Sequence, residues 1–303
     1  MKRISLLLFA FLLFTSSTSA KEVYVALGDS LAAGQTPYSE IDSGYADLIA
    51  LQLTKYGQLT AYTKELAFPG YAVDDVLERV KSEPAQAVLA NATLITVSAG
   101  ANDLLPLVSY NPKAGSLSYS QMTANFALNK ARQDFTELLK VLKEKAPNAQ
   151  IYVMGYYFPY IHVHETQKAG VADQLQLLNT ILKSVAVEAG AQFVEVAQDF
   201  DKNSVNYLPN ATDIHPNMAG YLVMANAFLN EYAGSATYQM TLAELPKPNP
   251  KSFEELLGLQ SSNDSGAEAE VVDEVAIAKP LQEYIGLYGY KKWHNLFGKK
   301  ILS

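Results

Sequence analysis

The sequence contains no cysteine, one tryptophan and four histidines among its 303 residues. Without thiols the chain cannot form disulfides, use a thiolate nucleophile or hold zinc through cysteine. Basic side chains are also scarce: Lys and Arg total 23 against 31 Asp and Glu, and the formal net charge is -8. This excess of negative charge argues against nucleic acid or an anionic membrane as the main partner.

A long apolar run is found near the amino terminus, where the sequence predicts a cleaved export signal. Lys2 and Arg3 form a basic start, residues 4–14 are an apolar stretch, and residues 18–20 supply a small-residue cleavage site. An uncleaved anchor is the alternative, although the stretch is shorter than the about 20 residues of a membrane span. Loss of residues 1–20 removes two cations, which takes the net charge from -8 to -10. We therefore expect a secreted, acidic protein that is stable without disulfides.

Residues 21–234 alternate between strand-like and helix-like patterns. The strand candidates are residues 23–27, 59–66, 93–98, 150–155 and 192–197. The helix candidates are residues 45–56, 73–81, 119–145, 172–189 and 218–232. Strands separated by helices predict an α/β fold with a mostly parallel sheet that is covered on both faces. Ligands of such sheets bind at the carboxyl ends of the strands.

The composition changes after residue 234. Residues 235–279 are predicted to be a linker, with prolines at 246, 248 and 250, a short helical piece at 252–257 and an acidic stretch at 260–274. Residues 280–303 form a tail in which aromatic residues alternate with lysines. We expect this tail to dock back on the domain or to be disordered, and weak contact with a membrane or cell wall is the alternative.

Three short motifs together hold a hydroxyl, an amide and an imidazole. Gly-Asp-Ser-Leu at 28–31 follows the first strand candidate, Gly-Ala-Asn-Asp at 100–103 follows the third, and Asp-Ile-His-Pro at 213–216 precedes the last helix. A serine hydroxyl becomes a strong nucleophile when a base takes its proton as it attacks. Ser30 is therefore the candidate nucleophile and His215 the candidate base for acyl transfer.

The oxygen anion of such a reaction needs hydrogen-bond donors aimed at it. The candidate donors of this oxyanion hole are the backbone N–H groups of Ser30 and Gly70 and the side chain of Asn102. Taken singly, each residue has an ordinary structural explanation as a turn or cap residue. We interpret Asp29 and Asp103 as acceptors that stabilise their own loops.

These blocks, in this order, resemble the GDSL/SGNH hydrolases of the secreted bacterial lipase and esterase type. The resemblance covers residues 21–234. It implies a flavodoxin-like, three-layer α/β/α fold and cofactor-free hydrolysis of acyl esters or thioesters. Carried over to this sequence, it implies Ser30 as nucleophile, His215 as base, and an oxyanion hole of Ser30, Gly70 and Asn102.

One block departs from the family pattern. The family usually has its aspartate three residues before the histidine, where this chain has Thr212, whereas Asp213 is two residues before. Three interpretations are open: a shifted loop lets Asp213 reach Nδ1 of His215, a backbone carbonyl replaces the carboxylate, or, failing both, another acid serves or activity is impaired. A helix that begins near Asn217 would disfavour the imidazolium, and a carboxylate would offset this effect. We therefore assign Asp213 to the site.

Two further stretches bear on the function. His162 and His164 alternate in a strand-like stretch, but two ligands do not make a metal site, and we predict no metal. Residues 104–120 are apolar and irregular, which suits either a wall for an acyl chain or core packing. The sequence thus predicts a secreted esterase or lipase for lipid or short-chain acyl esters. The alternatives are a deacetylase of cell-wall or plant polysaccharide and a non-catalytic surface-binding protein.

Overall fold

The structure is a computed structural model, and it describes residues 21–252 and residue 255. The strands in this part of the chain are β1 (Glu22–Gly28), β2 (Leu59–Ala67), β3 (Leu94–Ser98), β4 (Ser109–Asn111), β5 (Ser116–Ser118), β6 (Gln150–Met154) and β7 (Gln192–Val194). The α-helices are α1 (Ser30–Ala33), α2 (Tyr45–Lys55), α3 (Val73–Lys81), α4 (Glu83–Leu89), α5 (Ala101–Leu104), α6 (Gln121–Lys145), α7 (Glu165–Glu188), α8 (Ala197–Phe200), α9 (Ser204–Tyr207) and α10 (Met218–Ala233). Short 3₁₀ helices cover Leu105–Leu107, Asp201–Asn203, Ala236–Tyr238 and Leu242–Glu244.

The main sheet has the strand order β2-β1-β3-β6-β7, and all four neighbouring pairs are parallel. Helix α6 packs against α3 and α7, while α10 packs against α2 and α8. This is the predicted flavodoxin-like α/β/α arrangement, which the structure confirms. The chain reverses its direction of strand addition between β1 and β3, and ligands of such sheets bind at this switch point. Ser30 lies two residues beyond the end of β1, and Asn102 lies four residues beyond the end of β3.

The ends of β1 and β3 are pressed together. Gly28 has a φ of 135°, and a Cβ atom there would lie 2.0 Å from the carbonyl oxygen of Ser98. That carbonyl also accepts a hydrogen bond of 2.8 Å from the N–H of Asp29. Glycine is required at this point because any side chain would collide with the neighbouring backbone. The close approach brings the loop after β1 beside the loop after β3.

The helix that follows the histidine motif begins and ends at the expected signals. The Asn217 side chain accepts a hydrogen bond of 3.1 Å from the N–H of Gly220, so it caps α10. Gly234, with a φ of 61°, ends this helix in the left-handed conformation. The predicted helix at 218–232 is therefore confirmed to within one residue.

Helix α7 begins at Glu165, seven residues before its predicted start. Consequently, the residues around His162 and His164 form a turn and the start of this helix, and the predicted strand-like stretch is wrong. Residues 165–170 carry no apolar stripe, so their sequence gave no helical signal. A tertiary contact holds the first turns of α7 instead: the hydroxyl of Tyr119 donates a hydrogen bond of 2.8 Å to the carbonyl of Gly170.

Two segments are more ordered than their sequence suggested. Residues 104–120 contain the antiparallel hairpin β4–β5 and a 3₁₀ turn. The described part of the predicted linker packs on the domain: the side chain of Gln52 donates to the carbonyls of Tyr238 and Gln239, and Met240 is buried. The predicted signal, the acidic stretch, most of the short helical piece and the aromatic tail lie outside the described residues. None of the helices that the structure describes is long and apolar enough to cross a membrane.

Candidate active site

Ser30 is the first residue of α1, just beyond β1, and is 8% exposed. The side chain of Asp29 accepts the N–H of Leu31 at 3.0 Å and so caps this short helix. The Oγ atom of Ser30 lies 2.8 Å from Nε2 of His215. A nucleophile and a base in direct hydrogen-bond contact are the arrangement that activates a serine hydroxyl.

Asp213 is the acid that reaches His215. Its Oδ1 atom lies 2.7 Å from Nδ1 of the imidazole and also accepts the backbone N–H of His215 at 2.7 Å. Thr212, at the position where the family has its aspartate, is exposed and bonds to Asn210 instead. The structure therefore favours the carboxylate of Asp213 over the two alternatives, a backbone carbonyl and another acid.

The loop that carries this pair is tied to neighbouring elements. The hydroxyl of Tyr157 donates to the carbonyl of Ile214 at 2.8 Å, and the hydroxyl of Tyr110 donates to the carbonyl of Ala211 at 2.8 Å. Burial raises the pKa of Tyr157 well above its ordinary value, and the nearby carboxylate of Asp213 raises this pKa further. Tyr157 therefore stays neutral and keeps its proton for this hydrogen bond.

The three predicted oxyanion-hole groups lie at the same edge of the sheet. Asn102 Nδ2 donates to the carbonyl of Tyr71 at 2.8 Å, and this bond links the loop after β3 to the loop that contains Gly70. The N–H of Phe68 donates to the carbonyl of Gly28, which ties that second loop to the end of β1. Neither the N–H of Ser30 nor that of Gly70 is used in a hydrogen bond with another described residue. Both groups, and the second N–H of the Asn102 amide, are donors that a substrate oxygen could use.

A buried polar network lies directly beneath Ser30. The carboxylate of Asp29 is fully buried and accepts the hydroxyl of Ser98 at 2.8 Å and that of Tyr156 at 2.6 Å. Burial raises the pKa of Asp29, while the hydrogen bonds from Tyr156, Ser98 and Leu31 and the nearby His215 oppose this rise. Asp29 therefore fixes the turn under the nucleophile, as the sequence predicted. No hydrogen bond among the described residues joins its carboxylate to the hydroxyl of Ser30.

Asp103 stabilises its loop in a similar manner. Its Oδ2 atom accepts the N–H of Val73 at 3.1 Å, which joins the loop after β3 to the start of α3. Burial raises the pKa of Asp103 to about 6, and the neighbouring carboxylate of Asp74 adds to the rise. The hydrogen bond from the N–H of Val73 opposes this rise in the pKa.

A narrow apolar pocket opens from Ser30 and His215. It encloses about 820 Å³ of space, including the solvent at its open mouth. Its walls are mostly apolar and aromatic side chains from α5, the following 3₁₀ turn, α6, α7 and the loop after β6: Leu104, Leu105, Leu107, Val108, Ala124, Tyr156, Tyr157, Tyr160, Val171, Leu175 and Leu178. Among its described lining residues Asp29 is the one carboxylate and His215 the one basic side chain, and Asp29 lies beneath the turn. The pocket thus suits an uncharged, apolar substrate group.

The hairpin β4–β5 connects two residues that line this pocket, Val108 and Tyr119, and is bonded to the start of α7. The N–H of His164 donates to the carbonyl of Gly115 at 2.9 Å, and the N–H of Leu117 donates to the side chain of Gln167 at 2.6 Å. The ring of His164 lies against Gly115, whereas Nε2 of His162 faces the carbonyl of Leu208. The two histidines therefore have separate structural partners beside the pocket.

Sequence reasoning missed two buried side chains at the site. Gln35 lies against the ring of His215, with its Nε2 atom 3.3 Å from Nδ1. Tyr156 is bonded to Asp29, as described above. Gln35 is separated from His215 by 180 residues and Tyr156 from Asp29 by 127, so no local pattern marks either of them.

Known proteins are similar in sequence to most of the described part of this chain. A model of the GDSL-like Lipase/Acylhydrolase family matches residues 26–223. The uncharacterized protein YpmR of Bacillus subtilis (strain 168) is 24% identical over 224 residues, which are 69% of this chain and 81% of that protein.

Solved structures show a similar fold. The lipase Lip_vut3 from a goat rumen metagenome superposes with a TM-score of 0.57 at 16% identity, over 72% of this chain and 98% of that one. A variant of Axe2, an acetyl-xylooligosaccharide esterase from Geobacillus, superposes with a TM-score of 0.51 at 18% identity, over 70% of this chain and 94% of that one. At such identities the likeness establishes the fold alone.

Proposed function

Because the chain belongs to the GDSL-like lipase/acylhydrolase family, we propose that it is a serine ester hydrolase that acts through an acyl-enzyme on Ser30. The observation that carries this proposal is the continuous contact from Ser30 Oγ to His215 Nε2 and from His215 Nδ1 to Asp213 Oδ1. A hydroxyl, an imidazole and a carboxylate in this order form a catalytic triad, in which the imidazole takes the hydroxyl proton and the carboxylate orients the imidazole.

The reaction begins with attack of Ser30 Oγ on the carbonyl carbon of the substrate ester. The hydroxyl proton moves to Nε2 of His215, and Asp213 stabilises the imidazolium that forms. The N–H groups of Ser30, Gly70 and Asn102 bind the oxygen anion of the tetrahedral intermediate. When the intermediate collapses, His215 returns the proton to the leaving alcohol, and the acyl group remains on Ser30. Water then attacks the carbonyl carbon of the acyl-enzyme while His215 takes the water proton. His215 passes this proton to Ser30 Oγ as the bond to the acyl group breaks, and the acid is released.

The apolar pocket supports an acyl chain as the group next to the ester. A sugar ring carries several hydroxyls that each need a hydrogen-bond partner when buried. The pocket walls offer few such partners, because leucine, valine and aromatic carbons form most of them. This lining favours lipid or simple acyl esters over an acetylated polysaccharide. The alternative of a non-catalytic protein was based on the absence of an aspartate at position 212. The contact of Asp213 with His215 takes away that argument.

We extend the proposal to location: residues 1–20 direct export, so that the enzyme acts outside the cytoplasm. The basic start, apolar stretch and small-residue end of this segment support it. Amino-terminal sequencing of protein from the medium of an expressing bacterial culture tests the proposal. A mature protein that begins at Lys21 supports it, and an intact Met1 in a cell-retained protein contradicts it.

The mechanism is tested with a fluorophosphonate probe and mass spectrometry on the purified protein. We expect a single adduct on Ser30 that is absent from the Ser30→Ala variant. Hydrolysis of p-nitrophenyl esters from acetate to longer acyl chains, next to an acetylated xylan, then separates lipid-type from carbohydrate substrates. Absence of the Ser30 adduct in folded protein, or full activity in Ser30→Ala, would contradict the mechanism.

A further inference from the structure

Gln35 is a buried amide that the mechanism above leaves without a role. It follows α1 and the left-handed Gly34, and it is 6% exposed. Its backbone is held on both sides, since its N–H donates to the carbonyl of Ser30 at 2.9 Å and its carbonyl accepts the hydroxyl of Tyr221 at 2.6 Å. The side chain is thereby placed against the imidazole of His215, with Nε2 3.3 Å from Nδ1. Such a fixed, buried polar group requires a hydrogen-bond partner.

The chemistry of the imidazole decides which end of the amide faces it. Nε2 of His215 can accept the proton of Ser30 when the ring carries its own proton on Nδ1. The carboxylate of Asp213 at 2.7 Å selects this tautomer. An N–H of the Gln35 amide cannot point at an N–H, whereas its carbonyl oxygen can accept one. A half-turn of the amide exchanges its two ends at nearly the same positions.

We propose that Gln35 is a positioning residue whose Oε1 atom serves as a second acceptor for the Nδ1–H of His215. The proton is then shared between the carboxylate of Asp213 and the amide carbonyl of Gln35. This inference rests on the proposed role of His215 as the base, and it names a device that the family motif does not contain.

The shifted acid explains the need for a second acceptor. Oδ1 of Asp213 accepts the backbone N–H of His215 as well as the ring N–H, so its electron density is divided between two donors. The side chain of Asp213 is also 19% exposed, so water weakens its field. Gln35 faces the ring from the buried side, where a carbonyl dipole acts at a lower effective dielectric.

Other ionisable groups around the ring are held in fixed states. Asp29 lies beneath Ser30, where hydrogen bonds from Ser98 and Tyr156 occupy its carboxylate. Tyr157 and Tyr221 face the site from the loop after β6 and from α10, and burial raises the pKa of both well above its ordinary value. A change in the pH profile on substitution of Gln35 therefore reports on His215 and Asp213 and not on these three groups.

The opposite orientation of the amide makes the opposite prediction. If Nε2 of Gln35 donated to Nδ1, it would stabilise the tautomer whose proton lies on Nε2 of His215. That tautomer cannot accept the proton of Ser30, so Gln35 would then reduce activity. The sign of the effect of removing the amide separates the two orientations.

The first experiment compares Gln35→Leu and the near-isosteric Gln35→Met with the wild-type enzyme on p-nitrophenyl acetate over a range of pH. We expect kcat/KM to fall about tenfold, the worth of one hydrogen bond to a charged group, with most of the change in kcat. The acid limb of the pH profile should move to lower pH, since the imidazolium loses an acceptor. Gln52→Leu is the matched control, because this buried amide bonds Tyr238 and Gln239 far from the ring.

The second experiment asks whether a carboxylate at position 35 replaces the one at position 213. In the Asp213→Ala background, Gln35→Glu should recover at least about tenfold of the lost kcat and move the acid limb to higher pH. Thermal unfolding of each variant shows that it is folded. Unchanged or higher activity in both Gln35→Leu and Gln35→Met, or no recovery by Gln35→Glu, would overturn the proposal. Fluorophosphonate labelling of Ser30 in the wild-type protein tests the mechanism separately from these comparisons.

Discussion

Asp213 presents one carboxylate oxygen to two nitrogen atoms of His215. Oδ1 lies 2.7 Å from the backbone nitrogen and 2.7 Å from Nδ1 of the ring. The first contact is the side chain to backbone bond of an Asx turn, which aspartate forms with the residue two positions later. The same turn that shapes the loop thus brings the acid to the ring, and the spacing of two residues works without an aspartate at 212.

This shared oxygen predicts different effects for two substitutions of Asp213. Asp213→Ala removes both contacts, and we expect kcat to fall about 10³–10⁴-fold. In Asp213→Asn the side-chain oxygen can still accept both N–H groups, so the tautomer is kept and the charge alone is lost. We expect that loss to be about 10–10²-fold, because a neutral acceptor stabilises the imidazolium less than a carboxylate does. Steady-state kinetics on a short-chain ester measures both values.

Thr212→Ala is the control for these variants, since Thr212 lies on the same loop but is exposed and bonds to Asn210. Its kcat should stay within about twofold of the wild-type value, as for most surface changes. Equal losses in Asp213→Asn and Asp213→Ala would contradict the idea that one oxygen makes both contacts.

Asn102 is expected to act mainly on the transition state. Asn102→Ala removes an oxyanion donor and should lower kcat about 10²–10³-fold with little change in KM. It also removes the bond to the carbonyl of Tyr71, at a cost of about 1 kcal/mol in the free energy of unfolding. Asn226→Ala is the matched control, because this amide pairs with the backbone of Met240 and neither residue lines the pocket. A similar loss of kcat in both variants would show a general effect of destabilisation instead.

The strands, their parallel arrangement and the motif residues could be predicted because their signals are local. β1 and β3 are short, mostly apolar runs that are buried over most of their length, as is typical of strands inside a parallel sheet. Ser30 and Asn102 closely follow such strands, and a parallel sheet brings the carboxyl ends of its strands together. His215 could be named as the candidate base because its motif directly precedes the last predicted helix. These assignments needed no knowledge of side-chain packing.

Packing between distant segments accounts for what the sequence did not reveal. Gln35 reaches His215 because Tyr221 and the carbonyl of Ser30 fix its backbone, and neither contact leaves a local pattern. The first turns of α7 are polar and are held by Tyr119 and by the hairpin β4–β5. Tertiary contacts therefore override weak local propensity at this end of the helix.

Ala124 offers a test of the acyl pocket with little disturbance to the fold. It is a buried residue of α6 that lines the pocket, and alanine and leucine differ little in helix propensity. Ala124→Leu should fill part of the pocket and lower kcat/KM for long-chain esters by about 10-fold or more, since each buried CH₂ of the chain contributes about 0.8 kcal/mol. Acetyl esters, which do not reach this wall, should be hydrolysed at near the wild-type rate.

Ala127→Leu is the control for this experiment, because it makes the same change three residues later on α6, outside the pocket lining. It should leave the chain-length preference unchanged. A parallel loss of acetyl and long-chain activity in Ala124→Leu would contradict an acyl pocket at this wall.

The last prediction concerns the stability of the fold as a function of pH. Burial raises the pKa of Asp103 to about 6 from its ordinary value of 3.8. The folded protein therefore binds this proton more tightly than the unfolded chain, and the stability that the proton contributes is complete below the unfolded pKa. It is lost as the pH rises through about 6. The loss is on the order of 1–2 kcal/mol, because water reaches one side of this partly buried carboxyl and screens it.

Asp103→Asn should remove this dependence, since the amide carries no charge and its oxygen can still accept the N–H of Val73. Urea unfolding near pH 5 and near pH 8 measures the difference. We expect the wild-type protein to lose more stability between these two values than the variant, and the variant to be the more stable of the two near pH 8. Asp173→Asn, at an exposed position on α7, should behave like the wild-type protein. If Asp103→Asn instead followed the wild-type pH dependence, the carboxyl of Asp103 would not be the group that titrates in this range. Its ionisation would then not lower the free energy of unfolding.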